Sequence, residues 1–165
     1  MEFKCLRCGR CCRSLAPIVV LSDVEDWVKR GAWRVIGAIE AVEASGCLRS
    51  LGVELCFTLR RRGIACYFYR KGVCTIYDLR PAVCRLFPFA YSEEGVAVHP
   101  WALRNCPAVR LYGGRPPGEE VRELAREIVR ELLGLPFYST FVEELIASTG
   151  RVIPRNRFRV DVGLV

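Results

Sequence analysis

Apolar positions along the chain change their spacing several times, which predicts a mixture of helices and strands. The segment from Ser22 to Gly31 opens with a Ser-x-x-Glu capping box and ends at glycine, so we expect a helix. Apolar residues at every third position predict a second helix over residues 32–45. Residues 53–76 instead form short strand-like runs divided by glycine-containing turns, typical of an antiparallel meander. This mixture predicts a single α+β domain over residues 1–165.

The last third of the chain carries the most regular apolar face. Apolar residues at threes and fours from Val121 to Leu133 predict an amphipathic helix, with Glu and Arg pairs on its solvent side. Gly134 and Pro136 interrupt the pattern, so we expect another helix after them and a helical hairpin over about residues 117–149. A strand is expected near residues 158–162.

Composition narrows the class of protein. With 165 residues and 52% hydrophobic residues, the chain can bury a core without depending on metal for all its stability. No apolar run approaches the length of a membrane span, and Cys5 follows the first residue too closely for a signal peptide, so we expect a cytoplasmic protein that does not bind membranes. The excess of arginine over lysine and the single methionine suggest a thermophile.

Eight cysteines fall into two groups of four that lie far apart in the sequence, the first with the spacing C-x2-C-x2-C-C. They are Cys5, Cys8, Cys11, Cys12, Cys66, Cys74, Cys84 and Cys106. Soft thiolate ligands at such spacing select zinc or an iron-sulfur cluster over hard cations. In a cytosolic chain, cysteine richness favours metal over disulfides. We therefore predict that these eight residues bind the metal or cofactor.

The cysteine count leaves several arrangements open, namely two zinc sites, one cluster with spare thiols, or a bridged site. Cys11 and Cys12 are neighbours whose side chains are expected to leave the backbone in different directions, so we expect that they do not ligate the same ion. Cys106 precedes a proline, as does the cysteine that completes ferredoxin-type runs. Cys47 and Cys56 lie outside the motif and either form a disulfide or remain free buried thiols.

The two cysteine segments together resemble a known family. The N-terminal C-L-R-C-G-R-C-C-R and the later C-Y-F-Y-R-K-G-V-C-T-I-Y-D-L-R-P-A-V-C-R-L-F-P are similar to the YkgJ-like zinc- or iron-chelating cysteine-cluster proteins, the CxxCxxCC family. The resemblance implies a metal or iron-sulfur cofactor and, through relatives among flagellin lysine methylases, offers a methylase-like enzyme as one alternative. The ligands it implies are Cys5, Cys8, Cys11, Cys12, Cys66, Cys74 and Cys84, and Cys106 matches the pattern less closely.

The formal net charge of +7 raises the question of nucleic acid. Several arginines lie within a few residues of the predicted ligands, where positive charge offsets an anionic cluster and lowers thiol pKa; these are Arg7, Arg10, Arg13, Arg80 and Arg85. Arg60, Arg61 and Arg62 precede a glycine and are best explained as a solvated turn. Nucleic acid is therefore not expected as a partner.

The chain lacks the residues of most enzyme classes. His99 is the sole histidine, which excludes a multi-histidine zinc hydrolase, and no nucleotide-binding or hydrolase motif occurs, so no catalytic residue is assigned. We predict a metal-binding protein holding a cysteine-ligated iron-sulfur cluster of the 4Fe-4S type, with a redox or metal-handling role and a redox protein as partner. The alternative cofactor is zinc. The alternative function of a different class is a zinc-stabilised module that binds protein or nucleic acid.

Overall fold

The main sheet has two buried central strands flanked by two others. The computed structural model describes residues 3–44, 46–50, 52–92, 94–113, 117–148 and 155–160. The strands of the main sheet are β1 (Ile18–Val19), β2 (Ile39–Ala44), β3 (Leu55–Leu59) and β10 (Arg155–Val160). Their order is β1-β3-β2-β10, in which β3 runs antiparallel to β1 and β2, and β10 runs parallel to β2. The side chains of β2 and β3 are mostly buried and form the centre of the core.

Three short hairpins extend from this sheet. They pair β4 (Arg61–Arg62) with β5 (Ala65–Cys66), β6 (Tyr69–Arg70) with β7 (Val73–Cys74), and β8 (Phe89–Ser92) with β9 (Gly95–Val98). The meander predicted over residues 53–76 is thus strand β3 followed by two separate antiparallel hairpins. The first two hairpins place Cys66 and Cys74 on their returning strands.

The helices lie around the sheet and hairpins. They are α1 (Arg10–Ser14), α2 (Leu21–Lys29), α3 (Trp33–Ile36), α4 (Gly46–Ser50), α5 (Ala82–Leu86), α6 (Pro100–Asn105), α7 (Pro107–Tyr112) and α8 (Glu119–Ala147). Helix α8 packs against β3, β8, α2 and α5. The protein is a single small α+β domain, as predicted. In the described part of the chain, no helix is both long enough and apolar enough to cross a membrane.

The helix predicted over residues 32–45 is wrong for most of its length. Helix α3 ends at Ile36, and the chain then enters β2. Strand β2 pairs with β3 on one side and β10 on the other, and five of its six residues are buried. The apolar residues of β2 occupy both faces of the strand, so they do not alternate strictly with polar residues, and their spacing also fits a helix.

The predicted helical hairpin over about residues 117–149 is also wrong. Helix α8 continues from Glu119 to Ala147 with Pro136 inside it. A proline in a helix costs about 3 kcal/mol, because it removes one hydrogen bond and crowds the preceding turn. Burial of Leu135 before the proline and of Val142 and Ile146 after it contributes about 1.5–3 kcal/mol each, so packing on both sides outweighs the break. The C-terminal strand lies at residues 155–160, and residues 161–165 are outside the described part of the chain.

Candidate metal centre

The N-terminal cysteine segment rests on the second hairpin through a glycine. Gly9 has a left-handed backbone with φ of 71°, and a Cβ atom at this position would lie 2.2 Å from Cε2 of Tyr69. The tyrosine ring therefore lies directly on the glycine backbone. The guanidinium of Arg13 lies 6.0 Å from the centroid of the same ring. These contacts bring the segment around Cys8 and Cys11 onto β6.

A second tyrosine joins the N-terminal segment to the downstream cysteine motif. The guanidinium carbons of Arg7 and Arg80 lie 3.8 and 3.9 Å from the centroid of the Tyr77 ring. Both guanidinium groups are therefore within the range of cation-π contact with this one ring. Arg80 also donates a hydrogen bond of 2.7 Å to the carbonyl of Tyr77. Because Arg7 lies between Cys5 and Cys8, this stack connects two segments that are far apart in sequence.

Six of the predicted ligands lie close enough for the charges of their thiolates to affect one another. They are Cys5, Cys11, Cys12, Cys66, Cys74 and Cys84. Burial raises the pKa of Cys84 well above its ordinary value, and the negative charges of Cys66, Cys12 and Cys74 raise it further. The structure therefore brings together thiols from both cysteine groups, with the helix α5 supplying one of them.

The sulfur atoms of Cys11 and Cys12 lie close together. They are 4.0 Å apart, although the two side chains leave the helix in different directions. Their shared hydrogen bond raises the pKa of Cys11, and it lowers the pKa of Cys12 to about 7. Both residues lie in α1, where consecutive side chains point about 100° apart, and the expectation that they do not ligate the same ion stays a prediction. Four thiolates around one zinc ion stand about 3.8 Å apart, so this separation permits both sulfurs to bind one ion.

Backbone amides two residues downstream donate hydrogen bonds to three of the gathered sulfurs. The amide of Arg7 lies 3.3 Å from Sγ of Cys5. Burial raises the pKa of Cys66 and of Cys74, while hydrogen bonds from the amides of Phe68 and Ile76 oppose these increases. An amide that donates to sulfur stabilises the thiolate, which is the form that binds metal.

The gathered thiols do not yet form a closed coordination sphere. Among the residues that the structure describes, no three His, Cys, Asp or Glu side chains are arranged so that they could hold a metal ion. Metal binding would displace the protons that the raised pKa values keep on Cys11, Cys66, Cys74 and Cys84. All of the gathered ligand atoms are sulfur, and three of these sulfurs accept hydrogen bonds from backbone amides. This set of ligands fits a thiophilic metal.

The remaining cysteines differ in their exposure. Cys8 is exposed, and Cys106 is buried in a small apolar cluster against which Phe3 and Phe87 pack. Their roles as ligands stay predictions. Cys56 is a free, buried thiol on β3, which agrees with one of the two expected alternatives, and the side chain of Cys47 lies outside the described residues.

A buried carboxylate, which the sequence did not reveal, holds the helix that carries Cys84. The Asp23 side chain accepts hydrogen bonds from the amides of Ala82, at 2.8 Å, and Val20, at 3.2 Å. It therefore caps α2, in place of the predicted glutamate of the capping box, and also binds the first residue of α5. Burial raises the pKa of Asp23 to about 6, against the effect of these amides and of Arg85, whose Nη2 atom lies 4.0 Å away.

Sequence reasoning missed Gly9, Tyr69, Tyr77 and Asp23 as residues that position the thiols. A glycine between two predicted ligands was a usable signal, because metal-binding turns require positive φ. The two tyrosines gave no such signal, since their partners come from the other end of the motif. Asp23 lies within an ordinary polar helix start, and its burial becomes evident only from the packing of α5.

This arrangement, an α+β domain that gathers thiols from two separate segments, defines a cysteine-cluster chelating domain. Residues 4–107 match the family described as "Putative zinc- or iron-chelating domain", CxxCxxCC. The match spans more than half of the chain, which therefore belongs to this family and confirms the resemblance found in the sequence. No curated protein and no solved structure matches the chain.

Proposed function

We propose that the gathered thiols hold one iron-sulfur cluster of the 4Fe-4S type, and that the protein uses it in electron transfer or redox sensing. Membership of a zinc- or iron-chelating family supports metal binding in general. The proposed ligands come from Cys5, Cys11, Cys12, Cys66, Cys74 and Cys84, with Cys8 and Cys106 as further predicted ligands. When bound, such a cluster supplies one-electron redox chemistry.

The observation that carries this proposal is the set of amide hydrogen bonds to sulfur. The amide of Arg7 donates to Sγ of Cys5, and the amides of Phe68 and Ile76 partly offset the burial that raises the pKa of Cys66 and of Cys74. Hydrogen bonds to cluster sulfurs are one of the means by which proteins adjust the reduction potential. A cysteine that served only to fill the apolar core would not need hydrogen bonds to its sulfur.

Positive charge near the thiols supports an anionic cofactor. The charge of Arg80 opposes the rise in the pKa of Cys74. Arg7 lies on the same tyrosine ring as Arg80, so two guanidinium groups flank the junction of the two cysteine segments. Because a thiolate-bound cluster carries net negative charge, these groups would stabilise the loaded protein.

Zinc is the second candidate, and one distance favours it. The separation of 4.0 Å between the sulfurs of Cys11 and Cys12 matches adjacent ligands of a single tetrahedral ion. In that case the protein would be a zinc-stabilised interaction module, and the metal would contribute to folding instead of carrying electrons.

Metal content under anaerobic conditions distinguishes the two cofactors. Protein purified without oxygen is assayed for iron, acid-labile sulfide and zinc, and for visible absorption that bleaches with a reductant. Two variants test the site: Cys84→Ala removes a proposed ligand, and Cys56→Ala removes a buried thiol on β3 as the matched control. We expect iron and sulfide in the wild type and control, and loss of both in Cys84→Ala.

Stoichiometric zinc without sulfide would refute the cluster and leave the thiol site intact. Equal metal content in Cys84→Ala and Cys56→Ala would show that α5 does not contribute a ligand.

A further inference from the structure

Three arginines surround one tyrosine beside the candidate metal centre. The guanidinium carbons of Arg70, Arg62 and Arg60 lie 5.1, 5.6 and 5.9 Å from the centroid of the Tyr67 ring. We call these four residues the arginine collar. Lys71, at the turn of the second hairpin, directly follows Arg70 in the chain. The first two hairpins therefore concentrate positive charge around a single aromatic ring.

Most of this charge forms no ion pair among the residues that the structure describes. Arg60 forms an ion pair with Glu40, at 3.2 Å. Within the part of the chain that the structure describes, Arg62, Arg70 and Lys71 form no ion pair. The Nε atom of Arg70 is also buried without a hydrogen-bond acceptor. Because this atom is buried, an incoming carboxylate would bind instead to the exposed side chains of Arg62 and Lys71.

The two hairpins also expose apolar side chains at their tips. Ile64 is 75% exposed and Val73 is 56% exposed. The exposed Arg62 lies two residues before Ile64, and the exposed Lys71 lies two residues before Val73. Apolar anchors among arginine and tyrosine side chains are characteristic of surfaces that bind other proteins.

We propose that the arginine collar and the two hairpin tips form a docking surface for an acidic protein partner. The net charge of +7 would attract such a partner over a distance, and the guanidinium groups would bind its carboxylates at contact. Protein is favoured over nucleic acid because three guanidinium groups already lie near the Tyr67 ring and would compete with a base for its faces. In addition, the exposed aliphatic side chains at the hairpin tips would find no apolar group to contact on a phosphate backbone.

The position of this surface connects it with the thiols. In the strand registers, Arg61 lies opposite Cys66 and Tyr69 lies opposite Cys74. A partner that docks on the hairpins would therefore contact the elements that present two of the proposed ligands. This proximity gives the surface a role in electron or metal exchange only if the proposed function holds, whereas the docking surface itself does not depend on it.

Binding to defined probes tests the surface. The probes are a labelled oligo-glutamate peptide, a Glu-rich peptide with leucine at every fourth position, and an oligothymidylate of matched charge. Arg62→Glu/Lys71→Glu reverses two exposed charges, one on each hairpin. Arg49→Glu/Arg130→Glu produces the same net charge at exposed positions on α4 and α8, and serves as the control. Metal content is measured in each protein, so a loss of the metal centre is detected separately.

We expect both peptides to bind at low salt, with affinity that falls towards physiological salt, where the Debye length is about 8 Å. The hairpin variant should weaken binding about tenfold, and the control variant should bind as the wild type does. Ile64→Asp should weaken the leucine-containing peptide more than oligo-glutamate, because it removes an apolar contact.

Three results would overturn the proposal. Equal weakening in both charge variants would show that net charge alone attracts the peptides. Tighter binding of oligothymidylate than of either peptide would assign the surface to nucleic acid. Absence of peptide binding at low salt would show that the collar is not a docking surface.

Discussion

Replacement of Gly9 by alanine tests whether the N-terminal cysteines depend on their contact with Tyr69. The substitution adds a Cβ atom 2.2 Å from Cε2 of that ring. The ring lies at the end of a movable side chain, so we expect it to turn aside instead of disrupting the core. In doing so it leaves both the glycine backbone and the neighbouring guanidinium of Arg13.

The expected magnitude has two parts. Alanine in a left-handed conformation costs about 1–2 kcal/mol wherever it is placed. Loss of the packing of Tyr69 and of its cation-π contact adds about 1–2 kcal/mol, which corresponds to about a 5–30-fold loss in the docked population of the segment. Gly63→Ala is a matched control, since Gly63 also has positive φ, 60°, but a Cβ atom there would have no neighbour within 4 Å.

Metal affinity provides the assay, because the docked segment supplies Cys5, Cys11 and Cys12 to the proposed site. Competition with a chelator under anaerobic, reducing conditions should show metal loss at a lower chelator concentration in Gly9→Ala than in Gly63→Ala. Both variants should retain the helical signal of the wild type. Equal chelator sensitivity in the two variants would refute the idea that the contact with Tyr69 positions the N-terminal ligands.

Three further changes have defined outcomes. Tyr77→Leu removes two cation-π contacts of about 0.5–2 kcal/mol each and should speed metal release to a chelator about tenfold, whereas Tyr77→Phe keeps the ring and should release metal as the wild type does. The pKa of Asp23 in the folded protein, about 6, lies above its ordinary value of 3.8, so its contribution to stability is fully present below about pH 4 and is lost as pH rises through 6. This contribution amounts to about 3 kcal/mol of the free energy of unfolding. In Asp23→Asn, the free energy of unfolding measured in urea should lack this pH dependence. If it varied with pH as in the wild type, Asp23 would not be the group responsible. Metal removal should increase hydrogen exchange first in residues 5–12 and 66–84, and equal loss of protection throughout the chain would instead indicate a global structural metal.

The sequence predicted a metal-binding protein and many of its helices and strands, because both predictions depend on local signals. Cysteine spacing reports a local turn, and a regular apolar face reports a long helix, so the first part of α8 was expected. Residues 32–45 were assigned wrongly because the burial of β2 comes from β3 and β10, which are distant in sequence. The continuity of α8 through Pro136 likewise depends on buried residues beyond the proline.

The arrangement of the thiols could be predicted only in part. The motif indicated which cysteines matter, but the approach of Cys11 to Cys12 depends on the short helix α1, which has no strong sequence signal. The stacking of Arg7 and Arg80 on Tyr77 requires the N-terminal segment to be docked already. Spacing along a chain cannot report contacts that form only after two segments meet.

The packing of α5 against α8 also affects when the centre can form during synthesis. Cys84 lies on α5, while α8 ends at Ala147. Ribosomes add roughly 5–20 residues per second, so roughly 3–13 s separate translation of Cys84 from translation of the end of α8. During that interval the thiols are present on a nascent chain without the helix that supports α5. A carrier that delivers metal to the growing chain would therefore meet an incomplete site, so we expect loading only after α8 has been synthesised and has packed against α5.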